Sequence, residues 1–137
     1  MNNNTFNDVY DSLTFETITN IDGLIETDLS VIDVDKNGHL WLGSAEPRGV
    51  IQVYDFKSRK SIKTFNFDLW EITALSVSDS VVFAAYSKDG EWGILEFILE
   101  EDEFRYRQIY KPSEENLEFI SSIAIIGDNL YVGTNKG

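Results

Sequence analysis

The stretch LSVIDVDKNGHLWLGSAEPRGVIQVYD, Leu29 to Asp55, decides how the rest of the chain is read. It holds three apolar segments that alternate with a period of two and are rich in β-branched and aromatic residues, the signature of strands. The first two are joined by Asp35-Lys36-Asn37-Gly38, and the last two by Ala45-Glu46-Pro47-Arg48-Gly49. Both joints carry the Asn, Gly and Pro that tight reversals require.

Working outward, the pattern recurs. Strand-turn-strand units span Leu29 to Ser44, Ile72 to Tyr86 and Ile120 to Thr134. Within them LWLGS (40–44), VFAAY (82–86) and LYVGT (130–134) superimpose. The small residue at the fourth place, Gly43, Ala85 or Gly133, suits a strand against which a neighbouring sheet packs too closely for a side chain. A bulky residue at Gly133 is therefore expected to abolish folding or association. Each of the first two units is followed by a glycine-opened strand, Gly49 to Tyr54 and Gly93 to Ile98, and then by a more polar one, Ser61 to Phe65 and Phe104 to Tyr110. Helical periodicity is nearly absent; Ser113 to Phe119, after Pro112, allows at most one turn.

Four strands per unit, with polarity rising toward the last, is the profile of a β-propeller blade, whose innermost strand is buried on both sides. The expected fold is all-β: a β-propeller chain of three four-stranded blade equivalents, with a half blade at 1–28, blades at 29–71 and 72–119, and a half blade at 120–137. The first half echoes the missing strands of the last, Val9-Tyr10-Asp11 matching Val53-Tyr54-Asp55 and Phe15 to Ile18 matching the outer strand. Unit starts lie 43 and then 48 residues apart. Three blades are too few to close a ring, since propellers typically use four to eight. Two arrangements are open: a homodimer that completes a six-bladed propeller with shared blades, or one piece of a longer propeller.

The repeats resemble the two-component-regulator propeller repeats, on Asp35-Lys36-Asn37-Gly38-His39-Leu40-Trp41-Leu42-Gly43-Ser44 with Tyr54-Asp55, and in shortened form on Asp128-Asn129-Leu130-Tyr131-Val132-Gly133-Thr134. The middle unit departs, with Ala85 in place of glycine. WD40 and quinoprotein-like repeats are more distant, because the Trp-Asp dipeptide is missing. The resemblance implies a binding scaffold and no particular activity.

Composition narrows the function classes. The 137 residues are 42% hydrophobic and 13% aromatic, enough to build a core, and carry a formal charge of −13. That acid excess argues against nucleic acid or an anionic membrane as partner. No cysteine is present, so disulfides and thiolate metal sites are out. The start lacks a signal-peptide pattern and no apolar run approaches the roughly 18 residues that span a bilayer, so a cytoplasmic or virion-associated location is expected.

Candidate sites are few. Asp33, Asp35 and Asn37 with Gly38 have the spacing of the first half of a calcium loop, but Ser44 stands where the bidentate acid belongs. The same letters make a hairpin turn in which Asn-Gly takes positive φ. Calcium is the one cofactor in view, and the turn is the preferred reading. His39, the only histidine, is expected to face solvent from its strand. The run Glu100-Glu101-Asp102-Glu103 reads as a solvated loop. In propellers the loops from second to third strand and from blade to blade gather on one face where ligands bind. Here they supply Glu46, Arg48, Lys88, Asp89, Glu91, Trp92, Asn135 and Lys136, with Asp68, Trp70 and Glu71 between blades. Two tryptophans among mixed charges suit a protein or glycan partner, or else fill gaps between blades. The expected function is a non-catalytic binding or interaction module, with a structural subunit of a larger assembly and a glycan hydrolase or lyase as alternatives.

Overall fold

The structure, a computed structural model, describes residues 16–100, 103–111 and 119–134. Among the described residues ten strands form three antiparallel sheets, none of them closed. The first sheet runs β1 (Leu29–Val34), β2 (Leu40–Ser44), β3 (Gly49–Asp55), β4 (Lys60–Leu69) in spatial order. The second repeats that order with β5 (Glu71–Val77), β6 (Val81–Lys88), β7 (Glu91–Glu100) and β8 (Glu103–Tyr110). The third has two strands, β9 (Ile120–Ile126) and β10 (Asn129–Thr134). The first strand of the second sheet, β5, lies against both β1 and β9, so the sheets stack in chain order through their leading strands.

Turn chemistry fixes each hairpin. In the β1–β2 turn Gly38 takes φ 83° and donates its N–H to the Asp35 carbonyl, while Asn37 keeps an ordinary φ. The expectation of two positive φ angles at Asn-Gly is thus corrected: one glycine suffices, because Asp35 also receives the Asn37 and His39 N–H groups on its carboxylate. Between β6 and β7, Asp89 (φ 50°) and Gly90 (φ 77°) make a two-residue turn of the kind that matches strand twist.

Alternation along the strands sends one set of side chains into the gap between the first two sheets. Trp41, Ile51 and Val53 from the first sheet meet Ile72, Leu95, Phe97 and Leu99 from the second, all buried. Phe97 is the wedge, with ring centres 5.7 Å from Trp41 and 4.7 Å from Phe65. Gly43 lies where this gap is narrowest: a Cβ there would come within 2.6 Å of Ile72 and Val31 side chains. Gly49 similarly lets the β4–β5 link pass, since a Cβ would meet the Glu71 backbone at 2.8 Å. Gly133 differs from the expectation. Its nearest neighbour is the Ser122 hydroxyl of its own hairpin, not a further sheet.

A smaller cluster, Ala74, Ala85, Trp92, Ile94, Ile120 and Ile123, joins the second and third sheets. On the opposite face of the first sheet, residues 16–28 lie across the strands and bury Leu24 against Leu42 and Tyr54, with Ile18 alongside. This segment carries no strand, which corrects the outer strand expected at Phe15 to Ile18 for its described part. It holds instead a single 3-10 turn, Asn20–Asp22, capped by Thr19. Val9 to Asp11, Phe15, and residues 113–118 of the expected helical turn lie outside the described residues; Phe119 is not helical.

One further expectation is corrected. The leading strand was to be the most buried, yet Ile32 and Val34 on β1 are 63% and 52% exposed, while β2 and β3 are nearly all buried. Burial depends on neighbours on both sides. Among the described residues β5 has them, and β1 has a stacked sheet on one side only.

Candidate functional site

Three places on this frame gather side chains with chemistry. The first is the end carrying the β2–β3 and β6–β7 loops and the β4–β5 link, where the sequence puts the ligand-binding residues. Several of their charges are paired: Arg48 with Glu26 at 2.7 Å, Lys88 with Asp68 at 3.5 Å, and Glu91 with Lys111 at 3.3 Å. Exposed pairs of this kind contribute about 0–1 kcal/mol each. The Trp70 N–H bonds to the Ser87 carbonyl, tying the link to β6, and its indole is 45% exposed. Trp92 is corrected. It is only 8% exposed and packs with Ile94, Ile120 and Ile123 between the second and third sheets, so it fills a gap and leaves the face. Burial, and then the charge of Glu46, push the Glu71 carboxyl above its ordinary range. Asn135 and Lys136 lie outside the described residues.

The opposite end holds the Asp35 centre. Its side chain is fully buried and takes N–H groups from Asn37 (2.9 Å), His39 (3.0 Å) and the Trp41 indole (3.1 Å), with His39 Nδ1 at 3.1 Å. Burial pushes this carboxyl up, but the hydrogen bonds from His39, Trp41 and Asn37 outweigh it and hold the group below its ordinary range. The histidine is therefore not the solvent-facing one expected; it is half-buried, with Phe104 edge-on at 5.4 Å. Asp33 turns elsewhere, accepting the Val34 N–H and reaching the Val77 N–H of β5 at 3.1 Å. Asp33, Asp35 and Asn37 thus serve the turn and the sheet-to-sheet contact. Among the described residues no group of three acidic or histidine side chains could hold a metal ion.

Beside this centre lies a cleft of about 540 Å³, lined by Lys36, Asn37, His39, Lys57, Leu99, Glu100 and Phe104. The sequence reading missed it because its walls come from three separate turns. Glu100, its one lining carboxylate, is paired with Arg105 at 2.8 Å, which also lies 3.9 Å from Glu103, while Glu101 and Asp102 lie outside the described residues.

The third place is the outer half of the second sheet, on the face toward β9 and β10. Phe83 and Tyr110 sit side by side with ring centres 6.2 Å apart, and Tyr110 is 42% exposed. Next to them the buried Glu96 accepts from Gln108 Nε2 at 2.7 Å and Tyr110 Oη at 3.3 Å, with Arg107 Nε at 3.7 Å. Burial, then the Glu96 charge, push the Tyr110 phenol up. No sequence motif announces this patch; it arises from the register of β6, β7 and β8.

Among the described residues no helix is long and apolar enough to cross a membrane. Set beside protein-family models, curated proteins and solved structures, the chain matches none of them.

Proposed function

We propose that the chain is a non-catalytic interaction module on a β-propeller scaffold, its sheets being successive blades, and that it works by self-association. The observation that carries this reading is the repeated geometry. Two sheets share one strand order, their leading strands lie side by side, and the third begins the same pattern with β9 and β10. Beside the third sheet lies the aromatic pair Phe83 and Tyr110, with Tyr110 42% exposed, apolar surface of the kind that a partner covers. A protein of this kind contributes surface and a joint, in keeping with mixed-charge loops whose ion pairs are internal.

Light scattering of the purified chain tests the reading. A mass near twice 15.6 kDa is expected, and a folded monomer at all accessible concentrations defeats it. A second reading, a glycan hydrolase, draws on the raised Glu71 carboxyl facing Glu46, since acid-base pairs need carboxyls with separated proton affinities. It requires turnover of a glycan panel that Glu71→Gln abolishes.

A further inference from the structure

Two turns of the first sheet and one hairpin of the second converge on the cleft beside Asp35, and the two turns bring lysines to it. Lys36 comes from the β1–β2 turn and Lys57 from the β3–β4 turn, with Leu99 and Phe104 of β7 and β8 as the apolar side. On a chain with a formal charge of −13, acids to pair with are plentiful. Every described arginine is paired with one, as are Lys88 and Lys111. Among the described residues the side chains of Lys36 and Lys57 make no ion pair and no hydrogen bond. Lys60 and Lys63 on β4 are likewise without an ion pair, but they line no part of the cleft.

The described carboxylates around them are occupied. Asp35 is taken up by Asn37, His39 and Trp41. Asp55, where β3 enters its turn, accepts the Lys57 N–H at 3.1 Å and the Ser58 hydroxyl at 2.7 Å. Glu100 holds Arg105. His39 turns Nδ1 to Asp35 at 3.1 Å, which leaves Nε2 as its contribution to the wall. The cleft thus gathers two ammonium groups, an imidazole edge and the Asn37 amide around one apolar side.

We infer that this cleft binds a small organic phosphate, its phosphoryl group between Lys36 and Lys57 and its organic part against Phe104 and Leu99. The inference goes beyond the propeller reading and does not depend on it. Two lysines from separate turns act as point charges, and a phosphoryl group offers both a multiple charge and several acceptor oxygens to share between them. The apolar side calls for more than a bare anion: Leu99 is buried, and Phe104 is half-buried with its ring edge-on to His39 at 5.4 Å. At about 540 Å³ the cleft has the size of a small-molecule pocket.

The chain holds a single histidine, so the imidazole signals of His39 report on the site directly. In an NMR titration of the full chain at fixed pH, phenyl phosphate is expected to move those signals to saturation. It should bind about tenfold tighter than inorganic phosphate or benzoate, probes that each lack one half of the contact. Lys36→Gln and Lys57→Gln, both on exposed turns, are each expected to weaken binding about fivefold or more. Lys63→Gln, which removes the same charge from the middle of β4, should leave it unchanged. Unmoved His39 signals would mean that the chain's own acids hold the lysines, and overturn the proposal. Equal weakening by Lys63→Gln would show attraction to net charge alone and overturn it too, as would equal affinities for the three probes.

Discussion

The gap between the first and second sheets and the gap between the second and third are built on one plan, yet they are filled differently. In the former, Trp41, Phe65, Phe67, Phe97 and Tyr106 interleave across the second to fourth strands of the two sheets. In the latter, Ile120, Ile123, Leu130 and Val132 fill the inner half, and the outer half presents Phe83 and Tyr110 beside a carboxylate. The first gap hides its aromatic faces; the outer half of the second pairs its rings with hydrogen-bonded polar groups, which lets Tyr110 stand partly in water. The difference teaches which gap is filled by aromatic rings throughout and which is filled by aliphatic side chains only in its inner half.

The comparison breaks most visibly at Trp41. Trp41→Ala is expected to cost about 3–5 kcal/mol of stability in urea titration, since it empties the closed gap and removes a donor from Asp35. Phe83→Ala in the isolated chain should cost about 1–2 kcal/mol; equal costs would mean that the two gaps are equally closed. Next come the glycines. Gly43→Ala is expected to lose about 1–3 kcal/mol by overpacking, because Ile72 and Val31 hold fixed positions on either side. Gly133→Ala should lose less than about 1 kcal/mol, because a serine hydroxyl can turn aside.

Asp35 gives the pH signature of the first region. Folding holds its carboxyl below the ordinary value, so the stability it contributes is present at neutral pH and is lost as the pH falls below about 4 and on through the folded value. Thermal melts of Asp35→Asn should start lower at pH 7 and flatten across that acid range; an unchanged acid slope would show that other carboxylates govern it. The smallest effect belongs to Glu71. Its raised folded value means that ionisation opposes folding, so Glu71→Gln should slightly raise the melting temperature at pH 7 and remove a gain otherwise seen on mild acidification.

Much of the frame was legible. The hairpins at 29–44, 72–86 and 120–134 follow from alternation plus Asx and Gly turns, and all three appear with those pairings. The register of the third strands was not legible. The glycines that open them, Gly49 and Gly93, invite alignment, but the registers equate Gly49 with Trp92, because the preceding loops differ in length. That single step is what sends Trp92 inward and puts Glu96 on the same face as Phe83. Asp35 was legible as a turn residue; its hold on the Trp41 indole was not, since that contact depends on the side chain swinging under the strand. The cleft at Lys36 and Lys57 needed three dimensions altogether.

Gln52 has a consequence of another kind. From inside the first sheet its amide oxygen receives the Ile25 and Glu26 N–H groups and its nitrogen gives to the Glu26 carbonyl, so one buried side chain does for residues 25 and 26 what a whole strand does elsewhere. Residues 25 and 26 are thereby fastened by a clasp instead of a seam. A seam opens rung by rung, but a clasp is either shut or undone, and solvent hydrogen should reach those two amides together, on a clock set by a single glutamine.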